Sequence, residues 1–363
     1  MINSNEALLS LLTVLIGGGT ACQVSINFRV GLYFGIRLWG AVLNLGMGLI
    51  LLTSLTALEV LFSREKMPWL IWRERPKWYH LLPGVCGFLY VAAGVFLTEY
   101  TGIALFMVLI VSGQLLASAI LDHYGVGRVD GPRPLTPMRC LALLAGVGGA
   151  CLNVSSSLFS TFSPDSVPAF ALALSSIATV CVGAAMVVQA QLSRLAAGIL
   201  PSRLAATWWS FLVSFTCSAA LFVPEYLYSD ATAKFEDPQT WAFAPWYLWT
   251  AGFYSVAYIL SSITIPPYTS TQSYFVCLVA GQLLFSTVIE HYGWFGRSPH
   301  STSVLQMLGV VTVLIAAVCM QIPADKCTCG STRAITAESR YKTTELPLLS
   351  ERLVGDREPV TLE

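Results

Sequence analysis

The sequence predicts an all-α polytopic membrane protein with ten transmembrane helices, arranged as two inverted five-helix repeats. Three observations predict this fold class. Of the 363 residues, 55% are hydrophobic and only 11% are charged, whereas roughly a quarter of the residues of a soluble domain are charged. Ten uncharged stretches have about the 20 apolar residues that are needed to cross a ~30 Å hydrocarbon core. A long motif also occurs twice, once in each half of the chain.

The ten predicted spans can be read directly from the uncharged stretches. Their bounds, in order, are residues 7–28, 38–58, 81–98, 100–121, 140–158, 167–189, 204–223, 246–265, 269–289 and 301–321. Pro266-Pro267 divides the eighth span from the ninth, because proline lacks the amide proton that a helix interior requires. The first span has no basic segment ahead of it, so we expect a retained helix rather than a cleaved signal peptide.

The duplicated motif determines the architecture. Residues 113–128 read GQLLASAILDHYGVGR, and residues 281–297 read GQLLFSTVIEHYGWFGR. One constant offset along the chain relates four pairs of polar residues: Gln114 and Gln282, Ser118 and Ser286, Asp122 and Glu290, and His123 and His291. Further upstream a slightly smaller constant offset relates Gln23 to Gln189 and Asn27 to Ser193.

The duplication and the composition together predict three regions. Residues 1–160 form the first five-helix repeat and residues 161–322 form the second, inverted repeat. Residues 323–363 are poor in apolar residues and rich in charge, Ser and Thr, which predicts a disordered cytoplasmic tail.

The basic residues indicate how the chain is oriented. When the sides alternate at each span, 16 of the 20 Lys and Arg residues fall on the side of the amino terminus. The positive-inside rule therefore places both termini in the cytoplasm. Because each half has five spans, the second half crosses in the opposite sense, with the His123 turn inside and the His291 turn outside. The net charge of zero gives no indication of a nucleic-acid partner.

A polar stripe on the fourth predicted helix is the first candidate for a substrate pathway. Gln114, Ser118 and Asp122 are four residues apart and share one helix face, and the ninth helix repeats the pattern. Gln114 lies roughly 12 Å inward of Asp122, close to the bilayer midplane. A buried glutamine needs a partner, which is either a neighbouring helix or a solute in a central pathway.

The first and sixth predicted helices carry a second set of candidates near their ends. Gln23 and Asn27 lie on the first helix, and Gln189 and Ser193 occupy the equivalent places on the sixth. These residues either line the same pathway or make hydrogen bonds between helices at its rim.

The helix ends carry the titratable candidates, since no Asp, Glu, Lys or Arg lies within the ten spans as drawn. Asp122-His123 and Glu290-His291 are suited to a gate or a proton-sensing pair, because histidine titrates near neutral pH. The other interpretation is that they fix a turn together with the following Tyr-Gly. One His and one carboxylate at each end are too few to hold a metal. No motif of a known catalytic class is present, so we expect neither an enzyme nor a cofactor.

These motifs resemble a known family. The GQLL-x-S-x-x-x-[DE]HYG pattern, preceded by residues 23–31 (QVSINFRVG), is similar to the YdcZ-like group of the drug/metabolite transporter (DMT) superfamily. A usual member looks like one half of this chain, so the resemblance implies a fused tandem duplication with the DMT/EamA-like fold. It also implies a central cavity lined by the first, third and fourth helices of each half, peripheral fifth helices, and export of small organic molecules. Ser193 and Glu290 depart from the pattern, which implies an asymmetric site.

We therefore expect a membrane transporter that moves a small organic metabolite or drug-like solute by alternating access. The alternative is a non-transporting receptor or scaffold that acts through the cytoplasmic tail. The expected partners are a small-molecule substrate and the lipid bilayer, with a homodimer left open.

Overall fold

A computed structural model of the chain describes residues 4–62, 72, 74–126, 135–161, 169–229, 232–296, 299 and 302–321. These residues belong to one compact unit, Met1–Ile322. The predicted tail, residues 323–363, lies outside the described residues. The α helices are, in order, α1 (Ser4–Phe34), α2 (Trp39–Phe62), α3 (Leu82–Phe96), α4 (Thr98–Tyr124), α5 (Pro137–Thr161), α6 (Ala169–Ile199), α7 (Arg203–Tyr228), α8 (Thr232–Glu236), α9 (Pro238–Ala242), α10 (Ala251–Thr264), α11 (Thr271–Tyr292) and α12 (Val304–Gln321).

The prediction of an all-α membrane protein is confirmed at this level, since the described residues contain helices and no strand. Six helices are long and apolar enough to cross a membrane, namely α1, α2, α4, α6, α7 and α11. Shorter apolar helices occur at Leu82–Phe96, Pro137–Leu152 and Val304–Ala316. The short helices α8 and α9 were not predicted, because five residues are too few to give a periodic sequence pattern.

Several helices continue past the predicted spans. Helix α1 ends at Phe34 and so includes Arg29, and helix α6 ends at Ile199 and so includes Arg194. Hydropathy marks the hydrocarbon thickness rather than the last turn of a helix, which explains the difference. The eighth span starts as a 3-10 turn, Trp246–Trp249, and α10 follows it. As predicted, the helix stops at Pro266-Pro267 before α11 begins.

The helices of the two halves pack on one another in matching pairs. Helix α1 packs along α11, and the repeat-equivalent helices α6 and α4 pack in the same way. Helix α3 contacts α6 and α7, just as α10 contacts α1 and α2. The remaining contacts between equivalent helices join α2 to α7, α4 to α11 and α5 to α12. Each principal contact made by the first half thus has its equivalent in the second.

Two of these helix pairs touch backbone to backbone at glycines. A Cβ added at Gly17 of α1 or at Gly281 of α11 would overlap a backbone carbonyl oxygen of the opposite helix. Gly183 of α6 and Gly113 of α4 make the equivalent approach. The repeat relates Gly17 to Gly183 and Gly113 to Gly281. Small residues at such crossings let membrane helices gain close van der Waals contact, which is their main source of association.

Two of the four clusters of buried apolar residues, a central one and an outer one, involve the motif helices α4 and α11 most closely. The central cluster draws on α2, α3, α4, α6, α7, α10 and α11 and includes Met186, Tyr258 and Tyr274. The outer cluster joins α5 and α12 to α4 and α11. Helices α4 and α11 therefore lie between the two clusters, with one face toward each.

The glycine crossings generate the first prediction. We expect Gly281→Ala to lower the melting temperature of the detergent-purified protein, because the added methyl group must push α1 and α11 apart. Overpacking of this kind costs about 1–3 kcal/mol. Intrinsic tryptophan fluorescence is a suitable readout, since the chain has ten tryptophans.

Gly148→Ala is the matched control, because nothing lies within 4 Å of a Cβ built at that position of α5. The control should keep the melting temperature of the parent protein. Equal melting temperatures for Gly281→Ala and the parent protein would show that the α1 to α11 crossing is not tight.

Candidate functional site

The residues that the sequence placed along a pathway are nearly all buried. Seven of the eight expose 9% or less of their surface: Gln23, Asn27, Gln114, Ser118, Gln189, Ser193 and Gln282. The eighth, Ser286, is half-buried. The side chains of Ser118 and Ser286 each donate to a carbonyl oxygen of their own helix, at 2.9 Å and 3.0 Å. The two serine hydroxyls are therefore hydrogen-bonded within their own helices, whereas the motif glutamine amides contact other helices.

The two motif glutamines do not bond each other but reach across to the other half. Gln282 of α11 donates its Nε2 to Thr20 Oγ1 of α1 at 3.0 Å. Gln114 of α4 places its Nε2 3.0 Å from the Sδ atom of Met186 in α6. A thioether is a weak acceptor, and the buried Oε1 of Gln114 has no hydrogen-bond partner among the described residues. Gln114 is thus the less satisfied of the two amides.

The candidates on α1 and α6 lie against the neighbouring helices. Gln189 of α6 packs on Gly87 of α3, where an added Cβ would come within 2.8 Å of its Nε2. The buried Oδ1 of Asn27 and the buried Oγ of Ser193 have no hydrogen-bond partner within the part of the chain that the structure describes. Burying such a group without a partner costs about 1–3 kcal/mol.

Asp122 caps a helix of the other half. Its two carboxylate oxygens accept the backbone N–H groups of Thr271 and Gln272, each at 3.1 Å, and the side chain is fully buried. These amides belong to the first turn of α11, where orphan N–H groups and the helix dipole favour an anion. The contact therefore joins the last turn of α4 to the first turn of α11.

Amide and guanidinium groups surround the same end of α11. Gln191 donates its Nε2 to Thr271 Oγ1 at 2.9 Å, and Arg194 donates its Nη2 to the same oxygen at 3.4 Å. Arg194 and Asp122 therefore both bind Thr271, one through its hydroxyl and the other through its backbone N–H. Sequence analysis missed Gln191 and Gln272, because only the packing of α6 and α11 against α4 brings them to this end of α11.

The two histidines lie on exposed turns and hold the chain that follows. His123 accepts the backbone N–H of Leu135 on its Nδ1 at 3.3 Å, and the Nδ1 of His291 lies 3.1 Å from Thr302 Oγ1. Gly125 and Gly293 end α4 and α11 in the left-handed conformation, with φ of 70° and 65°. This geometry favours the turn-fixing interpretation for the histidines. Glu290 is half-buried in the last turn of α11.

A second pair of carboxylates was missed by the sequence analysis. Glu225 of α7 accepts the backbone N–H groups of Arg37 and Leu38 at 3.1 Å and 2.9 Å, just before α2. Glu59 of α2 accepts the hydroxyl of Ser202, the residue before α7, at 2.8 Å. The sequence repeat could have identified this pair, since Glu59 and Glu225 are related by the same offset as Gln23 and Gln189. In each case a carboxylate of one half holds a loop of the other.

A cluster of tyrosines at the centre was also missed. The hydroxyls of Tyr274 and Ser261 are 2.8 Å apart, and Ser261 also donates to the Tyr258 carbonyl at 2.8 Å. Tyr258 exposes 5% of its surface. Tyr90 of α3 and Tyr258 of α10 are related by the same offset as the motif glutamines, which could have identified them. Among the described residues, no group of three His, Cys, Asp or Glu is arranged to hold a metal ion.

Apolar helices of membrane-spanning length, packed as two related halves around buried amides and hydroxyls, define a polytopic membrane protein of the transporter class. The family described as "Putative inner membrane exporter, YdcZ" matches the chain twice, over residues 8–152 and 174–319. The chain belongs to this family as a tandem duplication, which confirms the resemblance seen in the motifs. It is an integral, multi-pass membrane protein from a family of transporters.

The other comparisons concern curated proteins and solved structures. No curated protein matches the chain. A solved structure described as "Crystal structure of protein" aligns with a TM-score of 0.60 and 15% identity, covering 87% of this chain and 97% of its own. At this identity the match supports the fold alone.

The Asp122 cap generates the second prediction. We expect Asp122→Ala to destabilise the protein by about 3 kcal/mol, because two buried amides lose charge-assisted hydrogen bonds. Asp122→Asn keeps one acceptor oxygen and should lose about half as much. Thermal unfolding of the detergent-purified variants measures both effects.

Asp237→Ala is the control, because Asp237 caps α9 from an exposed position and accepts Gln239 N–H at 3.0 Å. An exposed cap contributes about 1 kcal/mol. A loss in Asp122→Ala no larger than in the control would mean that Asp122 does not hold α4 to α11.

Proposed function

We propose that the protein carries a small organic solute across the membrane by alternating access. In this proposal ten helices cross the bilayer as two inverted five-helix repeats, and both termini are cytoplasmic. Residues 1–160 and 161–322 are the two repeats. The solute pathway runs between the halves, past Gln114 and Gln282.

The observation that carries the proposal is the reciprocal packing of the two halves. The first and fourth helices of one half pack against the fourth and first helices of the other, at equivalent glycines. Transporters built from inverted repeats bind their solutes near the midplane, where the repeats meet. Gln114 and Gln282 each follow one of these glycines directly, so both amides lie where such a site is expected.

The incomplete hydrogen bonding of the buried amides and hydroxyls supports a pathway rather than a closed core. Gln114 Oε1, Asn27 Oδ1 and Ser193 Oγ are buried without a hydrogen-bond partner among the described residues. Native proteins leave few such groups, and each calls for an explanation such as a bound water or ligand. A solute that passes through the site would complete these hydrogen bonds in turn.

Carboxylates at the helix ends are proposed as gates. With the amino terminus inside, the Asp122 contact with Thr271 and Gln272 closes the cytoplasmic end. At the opposite end, Glu225 of α7 holds the loop before α2. Release of the Asp122 cap would free the start of α11 from α4.

The third prediction is that water-borne reagents reach the glutamine positions from both sides. In a background without the ten native cysteines, Gln114→Cys and Gln282→Cys should each react with a polar, membrane-impermeant thiol reagent added to either face of sided vesicles. Adding the Asp122→Ala change should speed labelling of position 114 from the cytoplasmic face about tenfold, because loss of the cap favours the inward-open state.

Leu115→Cys and Leu283→Cys are the controls, because these neighbours are buried in the outer cluster beside α5 and α12. Both control positions should stay unlabelled. Carrier function would be refuted if positions 114 and 282 were as unreactive as the controls, since the glutamines would then serve only to join helices.

A further inference from the structure

The third helix of each half is unusually short. Helix α3 has 15 residues and α10 has 14, so each is about 21–22 Å long. Neither spans a ~30 Å hydrocarbon core alone. A 3-10 turn precedes each one, at Trp78–His80 and Trp246–Trp249. Short segments at corresponding places of two inverted repeats indicate where a solute binds.

Each short helix carries a tyrosine near its middle. Tyr90 of α3 and Tyr258 of α10 are related by the repeat. Tyr258 belongs to the central cluster, and Tyr90 packs against that cluster. The Tyr258 side chain is within electrostatic range of Tyr90, Tyr274 and the Cys86 thiol. The repeat-related tyrosines therefore belong to one buried cluster to which both halves contribute.

The Tyr258 hydroxyl is buried and has no hydrogen-bond partner in the described part of the chain. Its neighbour Tyr274 differs, since its hydroxyl is paired with Ser261 at 2.8 Å. A phenylalanine would fill the place of Tyr258 without this unsatisfied hydroxyl. Buried tyrosine hydroxyls usually find a partner, so a free one in a core is explained when a ligand completes its hydrogen bonding.

Gln114 supplies a second unsatisfied group on the same cluster. Its Nε2 contacts Met186, a member of the central cluster with Tyr258, and its buried Oε1 is open to a donor. The central cluster thus offers one acceptor at its edge, on Gln114, and one hydroxyl that both donates and accepts, on Tyr258. The same cluster contains the aromatic rings of Phe106 and Tyr274.

The charges around this site do not favour an ionic solute. Among the described residues that are fully buried, Asp122 is the only Asp, Glu, Lys or Arg. Arg194 lies within electrostatic range of Tyr274, but its guanidinium donates to Thr271 Oγ1 at the start of α11, where the Asp122 carboxylate accepts the Thr271 N–H. An ion without a counter-charge would lose its hydration at the centre of the membrane without compensation.

We propose that Tyr258 is a solute-binding residue and that the solute is a small uncharged molecule with an aromatic or similarly flat apolar part. The solute donates a hydrogen bond to Gln114 Oε1 and exchanges one with the Tyr258 hydroxyl, while its ring packs among the tyrosines. This inference rests on the proposed carrier function and specifies the chemistry of its site.

Three nearly isosteric probes test the charge and the hydrogen bonds together. Benzamide is neutral, benzoate is anionic and benzamidinium is cationic, and ligand-observed NMR measures their binding to the full chain in detergent. We expect benzamide to bind most tightly. Tyr258→Phe should weaken its binding about three- to tenfold, as one lost hydrogen bond implies. Tyr254→Phe, on the same helix but against Gly19 of α1, should leave binding unchanged.

Thermal unfolding of the empty protein separates a binding role from a structural one. Tyr258→Phe should melt no lower than the parent protein, because it removes an unsatisfied buried hydroxyl. Tyr274→Phe should melt lower, because it breaks the bond to Ser261.

Three outcomes would overturn the inference: no binding of benzamide, equal or tighter binding of either charged probe, or a Tyr258→Phe protein that melts as low as Tyr274→Phe. Thiol labelling of positions 114 and 282 from both faces tests the carrier function independently. A protein that is labelled from both faces but does not bind benzamide remains a carrier with a different solute chemistry.

Discussion

The close backbone contacts that Gly17 and Gly281 make between α1 and α11, and that Gly113 and Gly183 make between α4 and α6, constrain the rest of the structure. No side chain fits at these crossings, so the first helix of each half lies with its backbone directly against the fourth helix of the other. The motif glutamines follow two of the glycines, and their amides therefore reach Thr20 of α1 and Met186 of α6. The same glycines that join the halves thus also place the polar groups of the candidate site.

Charged groups complete this arrangement at the helix ends. The interior helices offer few charges, and the carboxylates of Asp122, Glu59 and Glu225 bind groups at the start of a helix in the other half. Each of these contacts involves only a few hydrogen bonds. They lie at the ends of the helices rather than at the glycine crossings. An architecture with tight crossings in the middle and breakable polar contacts at the ends is suited to rocking of one half against the other.

Much of the fold could be predicted because a helix that crosses the lipid needs about 20 apolar residues in succession, which are easily recognised in the sequence. Each predicted span lies mainly within a helix, and the proline pair does end α10. Helix ends were less predictable, as at Arg194, because a helix continues into the interface after its apolar stretch stops. The site was predicted only in part. Fixed offsets identified the glutamines, but the pairing of Asp122 with α11 and the free hydroxyl of Tyr258 depend on contacts between distant segments.

The central claim is that the two repeats cross the membrane in opposite senses. Tyr124 and Tyr292 follow the two motif histidines and expose 73% and 64% of their surfaces, so single cysteines there should be readily labelled. In intact cells, a membrane-impermeant thiol reagent should label Tyr292→Cys at once and Tyr124→Cys only after the membrane is permeabilised. Labelling of both positions from the same face would contradict the account.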